Sequence, residues 1–134
     1  MSFKLSVITP VLNAHTTVER TIRSVLSDSN QEVEYILVDG GSTDGTLEII
    51  SRYAEQIAHI EVSPDRGISH ALNKGIGLAS GEYIAILNAD DWYPDGGVST
   101  MLNLIQTGED FYCGAVRYVD PASNESIVRY AQPT

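Results

Sequence analysis

Two adjacent carboxylates, Asp90 and Asp91, follow the apolar run Ile84 to Leu87, with Trp92, Tyr93 and Pro94 behind them. Like charges placed side by side repel unless a cation or a set of donors offsets them. The pair therefore suits a hard divalent ion that also takes phosphate oxygens. Tyr83, Ile84, Ala85, Ile86 and Leu87 read as a buried strand, a rigid base for the two acids. The competing reading is structural, since Asp is a favoured helix cap and a helix is expected to follow.

Holding such a pair requires a sheet, and the chain alternates apolar runs with helical patterns. Leu5 to Thr9 reads as a buried strand that Pro10 ends by removing a ladder donor. Thr16 and Glu19 have the spacing of a capping box, with Val18, Ile22, Val25 and Leu26 at helical intervals behind them. Val33 to Val38 is a second buried strand, DGGSTDG its exit loop, and Leu47, Ile50, Tyr53, Ala54 and Ile57 line one face of a second helix. His59 to Val62 is a third strand, SPDRG a loop, and Ile68 to Ala79 a third helix weakened by Gly75 and Gly77. A fourth helix covers Gly97 to Gln106 with Gly108 as its stop. Phe111 to Val119 and Ser126 to Tyr130 read as strands around the turn Asp120, Pro121, Ala122, Ser123 and Asn124. The order demands an α/β fold with a mostly parallel sheet covered on both faces. With 134 residues the expectation is one domain, residues 1–95 carrying the site and 96–134 a helix and hairpin.

In open α/β sheets ligands bind beyond the carboxyl ends of the strands. Thr9, Pro10 and Asn13 follow the first strand, Asp39, Ser42 and Asp44 the second, Asp65 and Arg66 the third, and Asn88, Asp90 and Asp91 the fourth. Each has a structural reading alone: Thr9 and Asn13 as turn formers, Ser42 or Asp44 as a cap, Arg66 as a surface ion pair with Asp65. Four polar clusters on one rim favour a ligand. DGGSTDG is neither GxGxxG nor GxxxxGK[ST], which disfavours a dinucleotide oxidoreductase and a P-loop enzyme. A carboxylate such as Asp39 can accept hydrogen bonds from a base or ribose, while Asp90 and Asp91 suit a cation. Together they describe a nucleoside diphosphate bridged by metal.

Composition narrows the partners. A formal charge of -10 with only 8 Lys and Arg argues against nucleic acid, which is bound through clustered basic residues. No apolar run approaches the roughly 20 residues of a membrane helix, and the N-terminus lacks the order of a signal peptide. A cytoplasmic location is expected, with peripheral attachment at the inner face of the membrane compatible with it. Cys113, the single cysteine, follows Phe111 and Tyr112 in an expected strand and is read as buried. His15, His59 and His70 show no partner spacing, and a solvated or helix-packed state is expected for each, His70 lying nearest the rim.

The segments SVITPVLNA, YILVDGGSTDGT and PDRGISHALNKGIGLASGEYIAILNADDWY, in this order across residues 4–95, resemble the family 2 glycosyltransferases. The resemblance implies a GT-A fold, a Rossmann-like three-layer α/β/α arrangement with a mostly parallel sheet, cut short at the C-terminal end. It implies Thr9, Pro10 and Asp39 at the base and ribose, Arg66 near the nucleotide, and Asn88-Ala89-Asp90-Asp91 as a DxD-type motif. The nucleotide-sugar set is then Thr9, Pro10, Asn13, Asp39, Ser42, Arg66, Asn88 and Asp90, and the metal set, for Mg2+ or Mn2+, is Asp91 with Asp90. It further implies transfer of a sugar, with inversion, from a nucleotide-diphospho-sugar to the hydroxyl of a saccharide or lipid-linked acceptor. UDP is the favoured nucleotide, with GDP and dTDP as alternatives.

Two positions depart from that pattern: Gly40 stands where a second acid is frequent, and Asn88 where Asp is usual. Metal duty then falls on Asp91. The base that would deprotonate the acceptor is expected beyond Thr134, and Asp110, Asp120 and Glu125 are not assigned to it. A nucleotide-sugar-binding fragment without transferase activity is the alternative. A receiver-like signalling domain fails because its acidic pair belongs at the first strand. Exposed sheet edges leave pairing into a homodimer open.

Overall fold

A computed structural model describes residues 2–28, 30–120, 122–123 and 125–130. The chain divides into two compact units, Met1–Leu104 and Ile105–Thr134. The first contains β1 (Leu5–Val11), α1 (Val18–Leu26), β2 (Val33–Asp39), α2 (Thr46–Ser51), β3 (His59–Val62), α3 (Ile68–Leu78), β4 (Tyr83–Ile86) and all but the last residue of α4 (Gly97–Ile105). Its four strands form a parallel sheet in the order β3-β2-β1-β4. The chain thus builds outward from β1 to β3, then crosses to the other side of β1 for β4. Between β1 and β4 the winding reverses, and crevices for ligands open at such switch points.

Every residue of β1 and β2 is buried, so both sheet faces are covered at the centre. Ile8, Ile36 and Val38 share one face and pack with Ala71 of α3, with Leu72 and Ala79 at the margin. Gly75 is what lets α3 approach. A Cβ there would lie 2.5 Å from Cγ2 of Ile8, so this glycine serves close packing and does not merely weaken the helix. At the amino ends of the strands the buried Glu34 accepts hydrogen bonds from Ser6 Oγ and Ser80 N, both 2.8 Å, and from Ser80 Oγ at 2.9 Å.

Several expectations are corrected. Strand β1 continues through Pro10 to Val11. Ile8 O accepts from Leu87 N, the last bond toward β4. By strand alternation Pro10 turns its missing N–H to that same side, where β4 has already ended, so no ladder bond is lost. Strand β4 is an edge, not a buried base. Among the described residues it pairs with β1 only, and Ile84 and Ile86 are 45% and 51% exposed. The Thr16–Glu19 capping box does not form: Thr17 is the N-cap without a side-chain bond, and Glu19 instead accepts from Tyr53 Oη at 2.8 Å. The second helix stops at Ser51, and a 3-10 turn at Ala54–Gln56 follows, leaving Ala54 exposed while Ile50 and Ile57 are buried. Helix α4 begins as expected, and Gly108, with φ of 79°, follows its end.

The second unit is an antiparallel hairpin of β5 (Ala115–Val119) and β6 (Ser126–Tyr130). Strand β5 is shorter than expected, and Cys113 lies before it, exposed and not buried. Asp120 is a turn residue as anticipated, accepting from Ala122 N at 2.9 Å and Ser123 Oγ at 3.0 Å. Pro121 and Asn124 of that turn lie outside the described residues. Among the described residues no helix is long and apolar enough to cross a membrane.

Candidate functional site

Two loops leave the carboxyl ends of β1 and β2 and are stitched to each other. Asn13, in a left-handed conformation with φ of 49°, accepts through Oδ1 from Thr43 N at 2.8 Å and donates its own N–H to Ser42 Oγ at 2.8 Å. Ala14 N donates to Thr46 Oγ1 at 2.9 Å. Asp44 accepts from His15 N at 3.2 Å, and its Oδ2 lies 2.7 Å from His15 Nδ1. Thr46 N and Oγ1 donate to the other oxygen of Asp44 at 3.1 and 2.5 Å. The Thr46 hydroxyl, followed by the His15 side chain and the backbone of both residues, holds the Asp44 carboxyl well below the usual carboxylate range.

Asp39 is the pivot of this pair of loops. Its Oδ1 accepts from Gly41 N at 2.8 Å and Ser42 N at 2.7 Å, and its Oδ2 from Ser42 Oγ at 2.6 Å. A carboxylate has about four acceptor positions, so the loop itself uses three. The residue is fully buried. Thr9 is likewise enclosed, its hydroxyl 2.9 Å from Tyr35 Oη on the same face of the sheet, and Pro10 is buried behind it. The structure therefore brings Thr9, Pro10, Asn13, Asp39 and Ser42 together, with their polar side-chain groups engaged in shaping the rim.

The loop after β3 closes on the same place. The Asp65 carboxylate fills the space beside Gly40: a Cβ there would sit 2.6 Å from Asp65 Oδ2. This accounts for glycine where the resemblance leads one to expect an acid, since a carboxylate at position 40 would meet a second one. Asp65 Oδ1 accepts from Gly67 N at 3.0 Å, and Lys74 Nζ donates to Ser63 Oγ at 2.7 Å. His70 Nδ1 accepts from Arg66 N at 2.9 Å, which leaves the proton of the neutral ring on Nε2. Each of the three histidines has a partner, His59 Nε2 lying 3.5 Å from Glu34 Oε2. The Arg66 side chain is exposed, and among the described residues it forms no ion pair with Asp65.

The turn after β4 is different in kind. Asp91 N donates to Asn88 O at 3.0 Å, closing the turn, and Asp90 and Asp91 are exposed. Asn88 Oδ1 is buried and has no hydrogen-bond partner among the described residues, an unusual state for a polar atom. The surrounding chain strips water from the Asp91 carboxyl and raises its pKa, the neighbouring Asp90 charge raises it further, and a hydrogen bond from Asn88 acts the other way. Sequence reasoning missed what supports this turn. Thr21 Oγ1, on α1, lies 2.9 Å from Ala89 O and 2.6 Å from Asp91 O. Arg20 lies over the Trp92 ring, 3.8 Å from its centroid. The only sequence signal was a threonine in a helix interior.

The donors at this turn are oxygens of two carboxylates and one amide, which fits Mg2+ or Mn2+. Among the described residues no three His, Cys, Asp or Glu side chains converge into a metal cage. The set suits an ion that completes its shell with phosphate oxygens and water, as magnesium-type sites commonly do.

Comparison with known proteins identifies the family and the fold. The profile of a family described as Glycosyl transferase family 2 matches residues 6–132. TuaG of Bacillus subtilis, named a teichuronic acid biosynthesis glycosyltransferase, is 41% identical over 95 residues, which are 68% of this chain and 38% of TuaG. The mannosyltransferase PcManGT from Pyrobaculum calidifontis, solved with GDP-Man and Mn2+, superposes with a TM-score of 0.70 at 28% identity over 92% of this chain and 37% of that one. Glucosyl-3-phosphoglycerate synthase from Mycobacterium tuberculosis, solved with Mn2+, UDP and glucosyl-3-phosphoglycerate, gives 0.66 at 26% identity over 80% of this chain and 41% of that one. The chain thus spans about 40% of the length of these proteins.

Proposed function

The chain belongs to glycosyl transferase family 2 and has its α/β GT-A fold, and from that premise we propose that the sheet end described above is a donor site for sugar transfer from a nucleoside-diphosphate sugar in glycan synthesis. The observation that carries the reading is the Asn88–Asp91 turn at the β1/β4 switch point, where two exposed carboxylates meet a buried oxygen that has no partner among the described residues. The stitched loops after β1 and β2 form the wall for base and ribose, and Asp39 shapes that wall while keeping about one acceptor position for the ligand. Arg66, exposed on the third loop, supplies positive charge toward the phosphates.

Asp91, supported by Asp90, would hold the cation, and Asn88 Oδ1 is the third oxygen in reach of the turn. The chemistry a bound Mg2+ or Mn2+ would supply is Lewis-acid stabilisation of charge on the departing diphosphate. Transfer with inversion requires a base on the opposite face of the sugar, and none of the late carboxylates is assigned that task. UDP is the favoured nucleotide, which the UDP complex of one structural neighbour supports, and a saccharide or lipid-linked molecule is the favoured acceptor. Donor binding without transfer by this segment is the second reading.

Calorimetric titration with UDP, GDP and dTDP, each with and without Mn2+, tests the donor site. Binding of at least one nucleotide that tightens with the metal is expected; equal affinity with and without Mn2+ for all three would overturn the metal assignment.

A further inference from the structure

We propose that Thr21, seconded by Arg20, is a positioning residue for the Asp90–Asp91 pair, so that helix α1 sets how well the turn receives a metal-bound nucleoside diphosphate. The proposal rests on the donor-site reading above. A threonine inside a helix ordinarily returns its hydroxyl to the carbonyl four residues back. Here that carbonyl, Thr17 O, is 3.4 Å away, whereas Ala89 O and Asp91 O are at 2.9 and 2.6 Å. The hydroxyl is turned outward from its own helix to a segment about 70 residues away in sequence.

The two carbonyls it meets bracket the Asp90–Asp91 pair, one before Asp90 and one after Asp91. The single hydroxyl proton is shared between them, and holding the peptide that enters Asp90 and the one that leaves Asp91 sets the directions in which both carboxylates leave the chain. Thr21 is 1% exposed and Ala89 is buried, so water does not replace the bond to Ala89 O, and a buried carbonyl without a donor is costly. The preceding residue on the helix grips the far end of the turn, because the Arg20 guanidinium covers the Trp92 ring in a cation–π contact. The near end is held by Leu87 N on Ile8 O at 2.9 Å. The acidic turn is thus fastened at three points, two of them from consecutive residues of α1. Partners of this kind, which orient metal-binding groups without touching the metal, are worth roughly 10–100-fold in metal affinity.

The test uses Thr21→Val, which keeps the shape and removes the hydroxyl, and Thr21→Ser, which restores it, in the whole 134-residue chain. UDP is titrated with and without Mn2+. Thr21→Val is expected to weaken binding of UDP with Mn2+ by roughly 10–100-fold and leave binding without metal nearly unchanged, while Thr21→Ser recovers the metal-dependent part. Arg20→Gln is expected to act in the same direction by a smaller factor, and it decides the matter if Thr21→Val does not fold. Undiminished metal-dependent binding in Thr21→Val, or in Arg20→Gln where only that variant folds, overturns the proposal. So does an equal loss with and without metal, which would mark general damage. If the original chain binds UDP, GDP and dTDP only without metal dependence, the metal assignment falls and this proposal with it; if it binds none of them, the donor-site reading itself falls.

Discussion

The loops after β1 and β2 and the turn after β4 occupy the same end of the same sheet, yet they use their polar side chains in opposite ways. In the first region nearly every group is spent internally: Asp39 on Gly41 and Ser42, Asn13 on Thr43, Asp44 on His15 and Thr46. In the second, Asp90 and Asp91 are exposed and mutually repulsive, and Asn88 Oδ1 is buried without a partner among the described residues. Satisfied groups stabilise a shape; unsatisfied ones are held in place by their surroundings and gain their partners from a ligand. Residues equally conspicuous in sequence thus divide into a frame and a receiving turn.

If the division is right, the two regions respond oppositely to substitution. The largest stability effect is expected at the frame. Asp39→Ala removes one carboxylate from three donors and should cost about 2–4 kcal/mol in urea unfolding, whether or not nucleotide is present; a loss seen only in binding would place Asp39 with the receiving turn instead. Gly75→Ala tests the packing beneath. Helix propensity favours alanine by about 1 kcal/mol, but the contact with Ile8 should reverse the sign and cost about 1–3 kcal/mol net, read as a lowered unfolding midpoint.

A smaller effect is expected in the pH dependence of metal-dependent binding. A carboxylate must be ionised to hold a cation, so affinity falls as pH falls through the pKa of Asp91. Partial loss of water around the carboxyl and the Asp90 charge raise that pKa, so the fall should set in at a higher pH than an ordinary Asp would give. Asp90→Asn removes the like charge and should move the midpoint to lower pH, whatever it does to the affinity itself. A midpoint that does not move would mean that the two carboxylates do not sense each other.

Much of this architecture was legible in the sequence because it depends on local pattern. The strand cores were read correctly, β3 to the residue, since β-branched runs bounded by Gly and Pro leave few alternatives. The polar clusters were placed on one rim because parallel strands direct all their exits to one end. What escaped depends on neighbours. Pro10 could stay in a strand only because β4 ends early, β4 is an edge only because it pairs, among the described residues, with β1 alone, and Glu19 abandoned its capping box for a tyrosine 34 residues away. Gly40 looked like a missing acid until Asp65 was found against it. Within the site, composition could name the acids but not which were already spent, and nothing local linked Thr21 to a turn beyond the third helix.

The most direct test is the thermal unfolding of Asp91→Asn with and without saturating UDP and Mn2+. A ligand that binds the folded state raises the midpoint, and the original chain should show that rise. In Asp91→Asn the midpoint without ligand should be unchanged or higher, because a repulsive charge has been removed, and the rise with UDP and Mn2+ should vanish. A lowered midpoint combined with an undiminished rise would contradict the account, making Asp91 part of the frame and leaving the receiving turn without its principal acid.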